Sequence, residues 1–597
     1  MRQHRPSPAS IAGTLLIVLA TLAAYMPAMQ GDFLWDDDDH VSANLAVQSP
    51  DGLGKIWFEK GSTPQYYPIV FSSFWVEYSL WGQSTVGYHV VNVVLHILNA
   101  LILWRVLGLL SIRYAWLAAA IFALHPVHVE SVAWITERKN VLSGLFYLSA
   151  LFAYLRFTAV GTSIHAPRRQ WIWYASACVL FIGALLSKSV TVSLPAVVML
   201  LLWWKDRLNF RAILTVLPMF VLGTIAAATT IRLEKTQIGA VGADWSFSPI
   251  DRVLIAGRVL WFYLGKLAWP TELAFIYPRW EIDHGIWWQY LFPMTFGLLL
   301  GVLWFSRNRI GKGLLVAALI FAGTLVPALG FFDIYPMRFS FVADHFQYLA
   351  SIAPITLAVV ALSLIARKKE TVNGGALRLR RWRIRSAGSA VLLVTLGVLT
   401  WRQSHIYTDP VTLWRDTISK NPDSWLAHLN LGGELEREGR LEEAIAHWET
   451  VAELGGDVYI ARTNMALALV KLGDPHEAVR QLREAIRHSP QAFQPYNELA
   501  WLLSTHPDPS IRNGAEAVRL AEHAARLSNS QNPFVMGTLG AAFAEAGRFE
   551  DAIRVSQSAV KLVDEKYPPA LADIIRANIR LYEQRRPARE PPVGSGG

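Results

Sequence analysis

Asp251-Arg-Val-Leu-Ile-Ala-Gly-Arg-Val-Leu-Trp-Phe-Tyr-Leu-Gly-Lys-Leu-Ala-Trp269 is the stretch from which the rest of the chain is read. It is apolar enough to cross a bilayer, yet it carries Arg252, Arg258 and Lys266. Cations on a lipid-facing helix are costly. If the stretch crosses, Arg307, Arg309 and Lys312 fall on the outer side, together with the basic run from Arg367 to Arg385. If it lies flat or re-enters at the outer face, both basic clusters fall inside, as the positive-inside rule demands. The second reading is adopted here.

The 597-residue chain is 53% hydrophobic and 17% charged, with a mean hydropathy of +0.29. That composition excludes a soluble globule and points to a polytopic membrane protein. Apolar runs of about twenty residues fill the chain up to residue 401. They predict membrane helices at 11–30, 88–110, 114–132, 140–157, 171–187, 190–204, 211–230, 287–305, 311–330, 346–365 and 387–401. This makes about eleven spans. The short basic N-terminus (Arg2, His4, Arg5) lies inside, and the first span reads as an uncleaved anchor, because no small-residue cleavage pattern follows it. Arg105 and Arg113, Arg168 and Arg169, and Lys205, Arg207 and Arg211 then fall inside. The loops 31–87 and 231–286, and everything beyond 401, fall outside. The net charge of +9 therefore reports topology and gives no reason to expect nucleic acid. Cys178 is the single cysteine, which excludes an intrachain disulfide.

After residue 401 the pattern changes. Leu431-Gly432 is followed by Gly439 and Ala444, and Met465-Ala466 by Gly473 and Ala478, each member 34 residues after its counterpart (432 to 466, 439 to 473, 444 to 478). Leu499-Ala500 lies another 34 on, and Leu539-Gly540, Gly547 and Ala552 repeat the internal spacing. This is the tetratricopeptide period, with Pro490 closing a repeat. Ala517 comes five residues late, which predicts a longer turn over Thr505 to Asn513. The expected fold class is all-α: a membrane helix bundle over 1–401, a linker or first helix over 402–421, and about four repeats over 422–584 forming a solenoid with a concave binding face. The Pro/Gly-rich tail 585–597 is expected to be disordered.

The unusual polar groups of the membrane half gather on the outer side. Asp36, Asp37, Asp38 and Asp39 stand together after the first span. His125, His128 and Glu130, followed by Glu137, Arg138, Lys139 and Asn140, sit between the third and fourth. Lys188 lies between the fifth and sixth, and Arg338, Asp344 and His345 enter the tenth. Ionisable groups at the rim of membrane helices suggest a site. Acids and bases converging there suit a lipid-linked anion: Lys or Arg neutralises a phosphate, and a carboxylate takes a proton from an attacking hydroxyl. The bland readings are a solvated acidic loop, helix-end histidines bonded to backbone in place of a divalent-metal site at His125, His128 and Glu130, and basic side chains that reach the interface without touching a ligand.

The acidic pair after span one, the block His125-Pro-Val-His-Val-Glu-Ser-Val-Ala-Trp-Ile-Thr-Glu-Arg-Lys-Asn-Val-Leu-Ser143 and the C-terminal repeats resemble the transmembrane-and-tetratricopeptide-repeat proteins, which are GT-C-type, protein O-mannosyltransferase-like enzymes. The segment Phe341-Val-Ala-Asp-His-Phe-Gln-Tyr-Leu-Ala-Ser351 resembles the bacterial branch. The resemblance implies a polyprenyl-phosphate sugar donor, inverting transfer at the outer membrane face and a polypeptide acceptor hydroxyl. It carries the base onto Asp36 or Asp37, with the register open to Asp38 and Asp39, and a second acid onto Glu130. Arg138, Lys188, Arg258 and Arg338 are the candidates for the donor phosphate. The expected partners are the lipid-linked sugar in the membrane and a protein in the repeat groove. The expected location is a bacterial inner membrane with periplasmic repeats, or an endoplasmic reticulum lumen if the source is eukaryotic. A non-catalytic repeat scaffold and a lipid-sugar transporter are the competing readings. A transporter should carry its ionisable groups near mid-membrane.

Overall fold

The computed structural model describes residues 7–161, 167–233, 235, 242–368, 375–564 and 567–590. The basic N-terminal residues 1–6 and the end of the tail, 591–597, lie outside them. Helices account for every regular element among the described residues. The chain forms two compact units, 1–422 and 423–597.

The first unit is a bundle. Its main helices are α1 Pro8–Tyr25, α2 Pro68–Trp81, α3 Thr85–Leu109, α4 Ala115–Leu124, α5 Val129–Ala133, α6 Arg138–Phe157, α7 Pro167–Leu185, α8 Leu194–Trp204, α9 Phe210–Leu233, α10 Pro249–Ala268, α11 Leu291–Ile310, α12 Gly313–Leu325, α13 Ile352–Lys368, α14 Gly375–Ser404 and α15 Pro410–Lys420. Among the described residues, five helices have the length and apolarity of a membrane span: Pro8–Tyr25, Thr85–Leu109, Ile135–Phe157, Phe210–Leu233 and Trp287–Ile310. Gln170–Leu185, Ser189–Trp204, Gly313–Ala328 and Ile352–Ser363 are shorter apolar helices.

The expected straight span at 114–132 is instead a bent pair, Ala115–Leu124 and Pro126–Ala133, turned by 57°. Pro126 is the cause. A residue preceding proline is pushed out of the helical region, and His125 is extended at φ −81°, ψ 125°.

α10 shows how the opening stretch behaves. Ser248 and Asp251 form a reciprocal cap (Asp251 N to Ser248 Oγ 3.2 Å, Ser248 N to Asp251 Oδ2 2.9 Å) with Pro249 at the first turn. The helix stops before Pro270. Leu254, Ile255, Val259, Leu260 and Tyr263 are buried. The cations take local partners: Arg252 donates to the Gly330 carbonyl (2.8 Å) and pairs with Asp333 (2.7 Å), and Lys266 donates to the Thr271 and Glu272 carbonyls (2.9 Å each).

At one end of the bundle Lys205 Nζ reaches the Leu110 carbonyl (2.7 Å), Arg207 the Thr158 carbonyl (3.2 Å) and Lys312 the Trp203 carbonyl (3.4 Å). Lys312 also pairs with Asp206. The basic loops around 110, 206 and 312 therefore share one end. α9 starts at that end and α11 finishes at it.

The second unit is a row of helix pairs: α16 Trp425–Arg437 with α17 Leu441–Glu453, α18 Val458–Lys471 with α19 Pro475–His488, α20 Phe493–Thr505 with α21 Gly514–Leu527, and α22 Pro533–Glu545 with α23 Phe549–Leu562, followed by α24 Pro569–Glu583. A Cβ on Gly432 would lie 2.4 Å from the Trp448 indole and one on Gly540 2.1 Å from Ser556 Oγ, so the repeat glycines are where paired helices touch. The long turn of the third pair runs from His506 to Asn513. The tail departs from expectation over 585–590. Ala588 is buried, and the Glu590 N–H donates to the Thr505 carbonyl at 3.0 Å. An apolar methyl and a paired backbone outweigh the Pro-rich composition there.

Candidate active site

The end of the bundle opposite Lys205 and Lys312 holds a cavity of about 140 Å³, lined by Asp36, Glu130, Glu137, Lys139 and His345 and walled by Trp35, Trp134, Phe275, Tyr335 and Phe339. Residues distant in sequence meet here because three loops are tied to one another. The Tyr263 hydroxyl of α10 exchanges hydrogen bonds with the Ala343 N–H and carbonyl, at 3.1 Å each. That fixes the strand-like turn before Asp344. The next residue, His345, donates its N–H to Glu130 Oε2 (2.8 Å) and sets Nδ1 against Oε1 (2.9 Å). Glu130 is thus gripped twice by one residue, and its carboxylate is held at the wall.

Asp37 and Asp36 differ sharply. Asp37 is fully buried. Its Oδ2 accepts from the Leu34 N–H (2.8 Å), and its Oδ1 from the Thr136 N–H (2.7 Å) and hydroxyl (2.5 Å). It clamps the first loop onto the 134–137 turn. Burial, with the neighbouring Asp36 charge, pushes its pKa up to about 8 against those three donors. Asp36 lines the cavity, and its Oδ1 lacks a hydrogen bond of ordinary geometry among the described residues. Burial raises its pKa, opposed by His40 and Lys139. Trp35, just before it, has a left-handed backbone (φ +46°), a conformation costing roughly 1–3 kcal/mol outside glycine. Its ring stacks on Trp134 at 5.7 Å, which holds the turn. Asp38 and Asp39 are exposed, and Asp38 accepts from Ser42. They do not line the cavity.

Glu137 is the hub of the opposite wall. Lys139 Nζ lies 3.0 Å from Oε1, while Lys188 Nζ (3.2 Å) and the Asn140 amide (2.5 Å) reach Oε2. Lys188 also donates to Asn140 Oδ1 at 2.8 Å, and burial lowers its pKa to about 8. Asp344 sits behind Glu130, with its oxygens accepting from the Tyr277 hydroxyl (3.1 and 3.2 Å). Burial, reinforced by Glu130, holds its pKa well above the carboxylate range.

Three of the expected phosphate ligands lie elsewhere. All five N–H donors of Arg138 are taken, by Asn92, Ser73 (3.2 Å), the Tyr88 carbonyl (2.9 Å) and both oxygens of Glu77 (3.0 Å for Oε2). It is a buried brace between α2, α3 and α6. Arg258 lies over the Trp280 ring at 4.3 Å. Arg338 pairs with Asp244 at 3.3 Å. The suggested metal pair is likewise occupied: His125 Nε2 meets the Leu267 carbonyl (3.0 Å), and His128 meets the Phe122 carbonyl (2.8 Å) and the Ser351 hydroxyl (2.9 Å). Among the described residues no three His, Cys, Asp or Glu side chains group as metal ligands. Glu137 and Lys139 belong to the polar block that the sequence places before the fourth span, but the sequence alone assigns them no role; the fold makes them wall residues of the cavity.

A tetratricopeptide repeat model matches residues 396–457 and 463–508. The protein named Protein O-mannosyl-transferase F38B6.6 of Caenorhabditis elegans is 31% identical over 160 residues, 24% of this chain and 23% of its own. Protein O-mannosyl-transferase Tmtc3 of Drosophila melanogaster is 23% identical over 561 residues, 80% of this chain and 59% of its own. The curated relatives are named protein O-mannosyl-transferases. The match covers less than a quarter of the length of the worm O-mannosyl-transferase and 19% of mouse Protein O-mannosyl-transferase TMTC2, which is 32% identical over 165 residues. Among solved structures, the crystal structure of the yeast Tom70 aligns over 79% of this chain and 92% of its own at 12% identity, with a TM-score of 0.26, too loose a likeness to carry an argument.

Proposed function

We propose that the membrane half transfers a sugar, mannose in the first instance, from a polyprenyl-phosphate donor to a protein Ser or Thr hydroxyl at the outer membrane face, and that the repeats hold the acceptor or a partner. The observation that carries this reading is the cavity that Asp36 lines together with Lys139 and the Glu130–His345 pair. The acceptor hydroxyl gives its proton to Asp36 while its oxygen attacks the anomeric carbon. The bond from that carbon to the phosphate oxygen breaks, and the phosphate leaves with the electron pair. Lys139, with Lys188 behind Glu137, offsets the leaving charge. Glu130 and Glu137 orient the sugar hydroxyls and the two lysines. Trp35, Trp134 and Phe275 form the aromatic wall against which the pyranose packs. An apolar cavity of about 320 Å³, lined among others by Leu103, Leu148, Val197, Ala317, Ile352 and Val360, suits an isoprenoid chain.

The names of the relatives support the same reading. The test is transfer of labelled mannose from polyprenyl-phosphate-mannose to a peptide or co-purified protein, comparing wild type with Asp36→Asn. Transfer that vanishes in the variant supports the reading. Equal transfer by both would remove Asp36 as the base. No transfer by either, with several donor sugars tried, would leave the repeat scaffold as the better account.

A further inference from the structure

The first helices of successive pairs in the second unit pack on one another, α18 on α20, α20 on α22 and α22 on α24. After α24 the chain turns at Arg585 (φ +57°) and doubles back. Residues 586–590 then run without helix along the C-terminal ends of α20 and α22. The contacts are those of a bound peptide. Ala588, 5% exposed, belongs to the apolar core cluster of this unit. Arg589 donates to the Ser504 carbonyl at 3.1 Å and pairs with Glu545 at 2.6 Å, while Arg512 holds the other Glu545 oxygen at 3.0 Å. The Glu590 N–H meets the Thr505 carbonyl (3.0 Å), and its carboxylate accepts from the Trp501 indole N–H.

We infer that the surface along the C-terminal ends of α20 and α22 and the turn 506–513 is a groove for an extended peptide segment of a partner protein, one that presents a small apolar residue, an arginine and then an acid, and that this chain's own Ala588-Arg589-Glu590 fills the groove until such a segment displaces it. Each position has its own physical requirement. The Ala588 position is buried in the apolar core cluster, where a charged or polar side chain would lose its hydration without a partner. The Glu545 carboxylate, already oriented by Arg512, selects a guanidinium. The Thr505 carbonyl and Trp501 indole require an extended backbone and an acceptor. The self-segment is short, held through Ala588, Arg589 and Glu590, which leaves it displaceable. A tethered ligand also holds the groove by effective concentration more than by intrinsic affinity. The inference deepens the reading that the repeats bind protein, and it stands whether or not the membrane half transfers sugar.

The test is fluorescence anisotropy of a labelled synthetic peptide spanning residues 584–592, titrated with the full chain in detergent and with the chain ending at Arg585. The shortened chain is expected to bind at least about tenfold more tightly than the full chain, the margin being the tether's advantage. Glu545→Gln in the shortened chain should cost about tenfold, and a peptide with aspartate in place of Ala588 should not bind. Equal binding to the two chains, or none to a folded shortened chain, would overturn the inference. If the truncation loses its helical circular dichroism, Ala588→Asp in the full chain replaces it. That variant should bind the peptide as the shortened chain was expected to, and binding no better than wild type would overturn the inference.

Discussion

Asp36 and Asp37 are chain neighbours with opposite surroundings, and their substitutions should separate accordingly. Asp36→Asn keeps the loop, since Oδ1 makes no ordinary hydrogen bond, and should lower transfer by about 10²–10⁴, the range of a lost general base, at unchanged melting temperature. Asp37→Asn places an amide N–H against the donors Leu34 N or Thr136 N and should lower the melting temperature before any effect on chemistry can be assigned. The pH profile follows from the same groups. Asp36 works as the carboxylate, and its raised pKa should move the acid limb of the rate to higher pH than an unperturbed aspartate would give. Lys188, lowered to about 8, loses its charge above that pH and with it one hold on Glu137, so the rate should fall again on the alkaline side. Lys188→Arg, which stays charged, should extend that limb to higher pH. Arg138→Ala belongs to stability alone: it strands the buried Glu77 carboxylate and should cost about 3–5 kcal/mol, read from thermal unfolding in detergent.

At the scale of elements, the close crossing of α10 and α11 is the point to probe. A Cβ on Gly257 would lie 2.4 Å from the Pro293 nitrogen, backbone that cannot step aside. Gly257→Val should push α10 away, with an overpacking cost of about 1–3 kcal/mol. Because Tyr263 on the same helix positions the turn before His345, the variant should also lower transfer while leaving peptide binding by the repeats intact. The bend at Pro126 matters for the same reason. It places Glu130 in the cavity wall, where a straight span would leave it on a helix face.

The whole molecule makes an orientation prediction. Lys205, Arg207 and Lys312 share one end of the bundle, and Asp36, Glu130 and Lys139 lie at the other. Since Cys178 is the single cysteine, Cys178→Ser gives a background for single-site labelling. Cysteines at 205 and 312 should react with an impermeant maleimide from the same side of sealed vesicles, and one at the exposed Glu59 from the opposite side. Labelling of 205 and 312 from different sides would mean that α10 crosses.

What local chemistry encodes could be read from the chain alone. The 34-residue spacing of small residues in the repeats, the apolar runs of the bundle and the gathering of acids and bases at loop ends all depend on side-chain size, hydropathy and charge along one dimension. The roles of individual residues depended on the fold. Asp36 faces the cavity, and Asp37 does not, because Thr136 and Leu34 bring backbone donors to one carboxylate only. Arg138 is a brace and Lys139 a wall residue because successive positions on a helix point about 100° apart, so that Glu77 takes the first and Glu137 the second. The tail over 586–590 packs where it does because the repeats bury one methyl and supply a carboxylate for one guanidinium. Burial and hydrogen-bond satisfaction are set by segments far apart in sequence, and spacing along the chain carries no record of them.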